Sequence, residues 1–272
     1  MLKVVFRCDA SILMGSGHVM RCLTLANELR EQGADITLIC RKHPGHLFDL
    51  IESSKHRLLR LPFAATSATG KLAHAHWLGA TQEEDSKQTV EALKTIERVD
   101  WLVVDHYALD VEWEAAIRSY TKHIMVIDDL ADRVHDCDVL LDQNQHRAEM
   151  ETRYEKLIPP QCKKLLGPKY ALLRPEFKKA RSNLKVRDGS VKRIFVFFGG
   201  SDPTNETGKA LRAIQQLGRT DIAIDVVVGS TNPHQEGIAG LCAQLANTQI
   251  HRQVNNMAEL MARADVAIGA DS

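Results

Sequence analysis

The sequence predicts an α/β protein built from two Rossmann-like domains. Short apolar, β-branched segments alternate with amphipathic segments of helical length over residues 3–142. An irregular, basic stretch with several prolines then interrupts this alternation over residues 143–190. The alternation starts again at Ile194, and the total length of 272 residues suits two domains better than one.

The first cycle of the alternation is the most sharply defined. Residues 3–8 are apolar and β-branched, which predicts a buried strand. Residues 19–31 predict a helix that ends near Gly33, because small and apolar side chains recur on one helical face. These side chains are Val19, Cys22, Leu23, Ala26 and Leu29. The residues between the two elements therefore form a strand-to-helix turn.

The remaining elements of the first domain follow the same rules. Strands are predicted over residues 36–40, 101–105, 124–128 and 139–142, and helices over 86–98 and 111–120. We expect the strand at 139–142 to be the last of this domain. Repeated alternation of this kind predicts a mostly parallel sheet with helices on both faces.

The second domain repeats the pattern on a smaller scale. Strands are predicted over residues 194–198, 222–228, 248–251 and 266–268, and helices over 205–217, 234–245 and 257–264. We place the two domains at 1–178 and 190–272. Because the sequence stops where another helix should begin, we expect the second domain to be truncated, with a naturally short variant as the alternative.

The composition narrows the possible partners. Lys plus Arg equals Asp plus Glu at 35 each, so no broad basic surface is expected for nucleic acid or an anionic membrane. The six cysteines lie far apart without a CxxC pair, which predicts buried, reduced thiols rather than a zinc site. With no signal-peptide pattern after Met1 and no apolar stretch of bilayer length, a cytoplasmic location is expected.

The turn between the first strand and the first helix carries the candidate functional residues Gly15, Ser16, Gly17 and His18. Open α/β sheets bind ligands at this edge, and the N–H groups at a helix start attract anions. A GxGxxG dinucleotide motif would need glycine where Met20 stands, and residues 203–209 do not form a phosphate-binding P-loop. No nicotinamide or other cofactor is therefore expected.

His18 is the candidate catalytic residue of this turn. The positive end of a helix favours the neutral imidazole over the imidazolium, and a neutral histidine can act as a base near neutral pH. The alternative is that His18 only caps the helix or fills a polar niche.

Motifs spread over the chain carry a family resemblance. The long ones are RCDAS at 7–11 followed by GSGHVMRCLTLA at 15–26, and GPKYALLRPEF at 167–177. The short ones are WLG at 77–79, QEED at 82–85, DHY at 105–107, DDL at 128–130 and FGGSD at 198–202. Together they resemble the PseG family, the UDP-sugar hydrolases of pseudaminic acid biosynthesis.

The resemblance implies a fold and an activity. It implies two Rossmann-like domains facing one another in the GT-B arrangement, similar to the glycosyltransferase that makes lipid II. It also implies metal-free, inverting hydrolysis of UDP-2,4-diacetamido-2,4,6-trideoxy-β-L-altropyranose to UDP and the free sugar. The catalytic histidine of the family falls on His18. The expected partner is thus a UDP-sugar, while the oligomeric state is not predicted.

Further site residues are expected at the ends of later strands. Asp105 and Tyr107 are candidates for contacts with the sugar. The turn of Gly199, Gly200, Ser201 and Asp202 is the candidate contact for the diphosphate, with an ordinary turn capped by Ser or Asp as the alternative. Arg174 is a candidate for binding phosphate or for a structural salt bridge.

Two smaller expectations complete the site. One of Asp128 and Asp129 is expected to cap the turn that follows them. The HxH pair of His74 and His76 has no third ligand at metal-binding spacing, so no metal site is expected.

Two other functions stay open. A GT-B glycosyltransferase would use the same fold with a sugar hydroxyl in place of water. A truncated chain could instead bind nucleotide sugars without turnover.

Overall fold

The computed structural model describes residues 1–63, 70–146, 152–184, 186–229, 232–252 and 254–270. The chain divides into two compact units, Met1–Leu172 and Leu173–Ser272. Each unit contains its own parallel β-sheet. None of the helices in the described ranges combines the length and the apolar character needed to cross a bilayer.

The first unit is built on a seven-stranded sheet. Its strands are β1 (Lys3–Cys8), β2 (Asp35–Arg41), β3 (Arg57–Leu61), β4 (Trp101–Asp105), β5 (His123–Ile127), β6 (Val139–Asp142) and β7 (Lys163–Leu166). Its helices are α1 (Gly17–Glu31), α2 (Phe48–Ser53), α3 (Gln82–Lys94) and α4 (Val111–Ile117). Short 3₁₀ turns cover Ala75–Trp77, Arg118–Tyr120 and Pro168–Tyr170.

The strand order positions the candidate site. The order is β3-β2-β1-β4-β5-β6-β7, and every neighbouring pair is parallel. The chain thus leaves β1 in one direction along the sheet and later returns to its other side as β4. Doubly wound sheets bind ligands at such a switch point, at the carboxyl ends of the strands. The turn after β1 and the end of β4 meet there.

Strand alternation gives the sheet a core on each face. From β1, Val4, Phe6 and Cys8 pack with α1 and α2, whereas Val5 packs on the opposite face with α3 and α4. The same rule sends the Arg7 side chain to the α3 face.

A network of four fully buried charges lies on that face at the end of β1. Its centre is Asp85 in the first turn of α3, which accepts bonds from Arg7 Nη2 at 2.6 Å and Arg41 Nη2 at 2.7 Å. The indole Nε1 of Trp113 also donates to Asp85, at 2.9 Å. Asp9 supplies the second carboxylate of the network, since its Oδ1 lies 2.8 Å from Arg7 Nη1. Two positive and two negative groups are therefore paired inside the core, as buried charges require.

The second unit has a four-stranded parallel sheet in the order β10-β9-β8-β11. Its strands are β8 (Arg193–Phe197), β9 (Ala223–Val228), β10 (Thr248–Arg252) and β11 (Val266–Gly269). Its helices are α5 (Pro175–Ser182), α6 (Glu206–Gln216), α7 (Gln235–Gln244) and α8 (Met257–Ala262). One apolar cluster includes α6 and α7 residues and another centres on α8, so the sheet carries apolar residues on both faces.

The fold class predicted from the sequence is confirmed: two α/β units, each with a parallel sheet, of which the second is smaller. The six cysteines are buried, as predicted. The strand at 139–142 is not the last of its sheet, because β7 extends the sheet beyond it. The prediction missed β7 because Lys163 and Lys164 interrupt its apolar pattern. An edge strand can carry such charged residues.

Four further elements differ from the prediction. The predicted helix at 86–98 instead spans Gln82–Lys94, because Thr81 caps its first turn by accepting the N–H of Glu84. The prediction missed α2 and β3, which are only six and five residues long, with Arg57 and Arg60 in the strand. It also missed α5, which begins with Pro175 at its first position.

Candidate active site

The turn after β1 is held in shape by its own hydrogen bonds. Ser11 and Gly15 form an antiparallel bridge, and the Gly15 N–H donates to the Ser11 carbonyl at 2.9 Å. The Ser11 hydroxyl accepts the N–H groups of Leu13 and Met14 at 3.2 and 3.0 Å. Gly15 has φ = 76°, which a residue with a Cβ rarely adopts. The turn therefore delivers Ser16 and Gly17 to the start of α1 in one fixed conformation.

The start of α1 is open to a ligand. Ser16 occupies the N-cap position, but its side chain makes no capping hydrogen bond, and the first turn contains no acidic residue. The first backbone N–H group along α1 that bonds within the helix is that of Met20, which donates to the Ser16 carbonyl. The N–H groups of Gly17, His18 and Val19 lack a side-chain cap, and the helix dipole makes this end attractive to an anion.

His18 lies in the first turn of α1 and is held by the end of β4. Its Nδ1 lies 2.6 Å from Oδ1 of Asp105, and only 6% of its side chain is exposed. Asp105 reaches α1 because it follows Val103 on the sheet face that packs against this helix. The two residues are 87 positions apart in sequence, and the switch point brings them together.

Arg21 fixes the same carboxylate from one turn further along α1. Its Nε donates to Asp105 Oδ2 at 2.6 Å, and its Nη2 donates to Oδ1 at 2.7 Å. The Arg21 Nη2 also lies 3.3 Å from His18 Nδ1. A guanidinium has no acceptor and the carboxylate contact is far shorter, so the proton on His18 sits on Nδ1 and points to Asp105. This leaves Nε2 as the nitrogen with a lone pair.

The local charges keep Asp105 ionised. Burial alone would raise the pKa of Asp105, but the Arg21 guanidinium and then the His18 ring overcome this, so the pKa lies well below its ordinary value. A carboxylate beside Nδ1 holds the imidazole in one tautomer and stabilises the imidazolium that forms when Nε2 accepts a proton. The arrangement therefore suits a general base.

A second carboxylate joins the site from the end of β5. Asp129 Oδ1 accepts a hydrogen bond from the Tyr107 hydroxyl, and Oδ2 accepts bonds from Arg21 Nη1 and Asn144 Nδ2 at 3.3 and 3.2 Å. Burial and then the Asp129 carboxylate raise the pKa of Tyr107, so its phenol stays protonated. The neighbouring Asp128 instead accepts the N–H of Ala131, which confirms that one of the two aspartates caps the turn.

Three aromatic rings form a cluster with the ring of His18. The Tyr107 ring meets the His18 ring edge-on, with centroids 4.6 Å apart. The Trp77 ring also meets the His18 ring edge-on, at 6.2 Å, and lies 5.9 Å from Tyr107. His74 completes the group, 4.4 Å from Trp77 and 5.5 Å from Tyr107. In the described residues no three His, Cys, Asp or Glu side chains are grouped to hold a metal ion.

His106 links the site to the buried charge network. It follows Asp105 and therefore points to the other face of the sheet, where its Nε2 lies 3.4 Å from Asp9 Oδ2. Its Nδ1 accepts the N–H of Ala108 at 3.1 Å. Burial lowers the pKa of His106, which favours the neutral ring. The three residues of the DHY motif thus face three different partners.

In the second unit, the turn after β8 contains Gly199, Gly200, Ser201 and Asp202. Asp202 is buried, and its two carboxylate oxygens accept the N–H groups of Glu206 and Thr207 at 2.8 and 3.0 Å. The side chain of Asn205 accepts the N–H of Gly208 at 3.1 Å. Unlike α1, helix α6 has its first turn capped by its own side chains, a geometry that matches the alternative of a capped turn.

Two more residues of this unit bear on the sequence predictions. Gly229, after β9, packs so closely on Gly200 that a Cβ at position 229 would overlap the Gly200 carbonyl. Arg174 precedes α5 and forms an ion pair with Glu176, with 3.0 Å between Nε and Oε1. Its side chain is 39% exposed, so this pair leaves the guanidinium accessible.

The structure brings together Gly15, Ser16, Gly17, His18, Asp105 and Tyr107, all in the first unit. Asp105 contacts His18 and Arg21 directly, which its prediction as a sugar contact did not include. The sequence reasoning missed Arg21, although a spacing of three residues places it on the same helix face as His18. It also missed Trp77 and Asn144, whose proximity to His18 or Asp129 depends on tertiary structure.

Comparisons with known sequences give distant relatives. No protein-family model matches the chain. An uncharacterized protein of Methanocaldococcus jannaschii is 26% identical, and the match covers 98% of this chain but about half (51%) of that protein. A UDP-2,4-diacetamido-2,4,6-trideoxy-β-L-altropyranose hydrolase of Campylobacter jejuni is 27% identical over 96% of this chain and 81% of its own length. SpsG, a spore coat polysaccharide biosynthesis protein of Bacillus subtilis, is 36% identical over only 38% of this chain and 31% of its own length.

Solved structures with this fold include several glycosyltransferases. MurG of Acinetobacter baumannii matches 99% of this chain and 73% of its own with a TM-score of 0.59 and 14% identity. UGT2 of Phytolacca americana, in complex with UDP-2-fluoro-glucose, matches 93% of this chain and 72% of its own with a TM-score of 0.59 and 12% identity. These likenesses show a GT-B-like fold.

Proposed function

We propose that this chain hydrolyses a UDP-linked 2,4-diacetamido-2,4,6-trideoxy sugar at its anomeric C–O bond, with His18 as the base that activates water. The observation that carries this proposal is the 2.6 Å contact between His18 Nδ1 and Asp105 at the uncapped start of α1. The similarity to the Campylobacter jejuni hydrolase supports the choice of reaction and sugar.

The free nitrogen of His18 is available for chemistry. Nδ1 is engaged by Asp105, and Nε2 has no hydrogen-bond partner among the described residues. With the Asp105 carboxylate behind it, Nε2 can accept a proton and the resulting imidazolium is stabilised. Arg21 keeps the carboxylate ionised and in place during this step.

One base is sufficient because the leaving group is stable. A glycosidase that expels an alkoxide needs a carboxylic acid to protonate it, whereas UDP departs as a stabilised anion. In the proposed step the water oxygen bonds to the anomeric carbon and its proton passes to His18 Nε2. The C–O bond to the diphosphate breaks with its electron pair on UDP, and the sugar is released with inverted configuration.

Backbone N–H groups supply the complementary charge. Those of Gly17, His18 and Val19 are free of side-chain caps, and we assign them to oxygen atoms of the sugar nucleotide next to the base. In the second unit we propose the turn of Gly199, Gly200 and Ser201 as a nucleotide contact. Asp202 then acts by shaping this turn, since both of its oxygens cap α6. Arg174 is proposed as an accessible guanidinium for phosphate.

UDP release without an acceptor tests the proposed function. The purified chain is mixed with the UDP-linked diacetamido trideoxy sugar, and UDP and free sugar are quantified over time by chromatography. We expect equal amounts of both products, with the inverted anomer seen first by NMR. Release only after a sugar hydroxyl acceptor is added would instead identify a glycosyltransferase, and binding without release would identify an inactive binding protein.

Asp105→Asn is expected to lower kcat by about 10²-fold, the low end of what positioned proton transfer contributes. The amide oxygen can still accept a bond from Nδ1, but the variant lacks the negative charge that stabilises the imidazolium. Steady-state UDP release measures the effect. Asp49→Asn, at an exposed position of α2, is the matched control and should behave like the parent. Unchanged kcat in Asp105→Asn would remove Asp105 from the mechanism.

A further inference from the structure

Three aromatic side chains, those of His74, Trp77 and Tyr107, form a cluster next to His18. Trp77 is its largest member, and its ring contacts those of the other two and the edge of His18. Tyr107 is tied to Asp129 through its hydroxyl, and so has a structural partner of its own. Trp77 has no comparable polar partner in the part of the chain that the structure describes.

The backbone fixes Trp77 in this position. The residue closes the 3₁₀ turn of Ala75–Trp77 and is followed by the buried residues Leu78, Gly79 and Ala80. Gly79 has φ = 66°, and a Cβ there would lie 2.8 Å from the ring of His43. The segment after Trp77 is therefore anchored in the core, which limits how far the indole can move.

The indole is only partly buried. Trp77 is half-buried, and its Nε1 donates no hydrogen bond to any described residue. Tryptophan N–H groups normally find a partner when they are buried, and partly exposed indoles are typical of surfaces that receive ligands. A rigid, flat apolar surface with one free donor therefore lies beside the proposed base.

Such a surface selects among sugars by their polarity. A ring face that carries hydrogens or a methyl group loses little hydration when it packs on an indole. On a face that carries hydroxyl groups, those groups would lose their hydrogen bonds to water and gain none from the indole ring, which costs free energy. The free N–H can meanwhile bind an acceptor such as an amide carbonyl.

We propose that Trp77 is a specificity-determining residue that packs against the apolar face of the sugar and favours deoxygenated, N-acylated sugars over fully hydroxylated ones. This inference rests on the proposed function, because it concerns the sugar half of the same substrate. Trp77 contacts substrate in this role and takes no part in proton transfer.

The test compares ligands that differ only in the sugar. Calorimetric titration of the whole chain with UDP, UDP-N-acetylglucosamine and the UDP-linked diacetamido trideoxy sugar gives three affinities. Trp77→Leu keeps an apolar side chain but removes the ring, and Trp77→Phe keeps a smaller ring. We expect Trp77→Leu to weaken binding of the trideoxy sugar nucleotide on the order of tenfold, with Trp77→Phe in between and UDP affinity unchanged. Lys71→Ala, exposed on the same segment, is the control.

Each other outcome is decisive. Equal losses for UDP and for the sugar nucleotides would overturn the inference, as would a lower kcat with unchanged affinity, which would make Trp77 a positioning residue for His18. Parent turnover combined with no effect in Trp77→Leu would also overturn it while leaving the hydrolase function intact. Binding by the parent without UDP release, weakened in Trp77→Leu, would support the inference and refute hydrolysis.

Discussion

His18→Ala is expected to lower the rate of UDP release by about 10²- to 10⁴-fold, the range that a positioned general base contributes. The variant leaves water without a proton acceptor at the anomeric carbon. It keeps the backbone N–H groups at the start of α1, because alanine is compatible with the first turn of a helix. Affinity for the sugar nucleotide is therefore expected to stay within a few-fold of the parent, so the loss should appear in kcat.

Two measurements make this expectation specific. Single-turnover UDP release gives the rate of the chemical step, and titration calorimetry gives the affinity separately. His76→Ala, at an exposed position of the segment that carries Trp77, is the matched control and should retain parent activity. Equal turnover by His18→Ala and the parent would exclude His18 as the base, whatever its contacts.

Asp85→Ala is expected to have the largest effect on stability, lowering the free energy of unfolding by about 3–5 kcal/mol. The side chain is fully buried and accepts bonds from Arg7, Arg41 and Trp113. Without it, one of two guanidiniums is left in the core with no opposing charge. Glu83→Ala removes the same charge from the same helical turn at an exposed position, so it should leave the free energy of unfolding nearly unchanged.

Tryptophan fluorescence reports this unfolding transition. The chain has three tryptophans, Trp77, Trp101 and Trp113, and all lie in the first unit. Urea titration followed by fluorescence therefore measures the unit that contains Asp85. A midpoint for Asp85→Ala equal to that of Glu83→Ala would show that the buried network does not stabilise the fold.

The same carboxylate gives the stability a pH dependence. Burial alone would raise the pKa of Asp85, but Arg7 and then Arg41 overcome this and hold it below its ordinary value. A depressed pKa in the folded state means that the contribution is present above the unfolded value of about 3.9 and is lost as the pH falls below it. Asp85→Ala should accordingly show a smaller loss of stability between about pH 5 and pH 3 than the parent.

Much of the fold could be predicted because buried parallel strands have a strong pattern. The apolar runs of β1 and β4 are continuous, and their bounds match the predicted ones. The edge strands β3 and β7 are short, only partly buried and carry Arg or Lys side chains, so periodicity alone does not reveal them. Helix α3 begins with the acidic sequence QEED, which suits the positive end of a helix but has no apolar face, so periodicity does not show where the helix begins.

The residues of the candidate site likewise include some that the sequence reveals and others that only the tertiary structure reveals. His18 could be found from the sequence because a glycine-rich turn after a first strand has a known chemical use. The roles of Asp105 and Asp129 depend on which strands are neighbours. Asp105 follows β4 and Asp129 follows β5, and their contacts with α1 could not be predicted without the order of the strands in the sheet. Trp77 lies outside every predicted element, and only the packing of four rings reveals it.

The bridge between Ser11 and Gly15 has a consequence for ligand recognition. This turn already has its hydrogen bonds satisfied internally, and the Ile12 N–H is further tied to the Pro44 carbonyl at 3.0 Å. A sugar nucleotide that binds there contacts a turn that is already ordered. Its affinity is therefore not reduced by the entropy cost of ordering a flexible segment. Association should accordingly be a single kinetic phase, with no slow isomerisation of this turn.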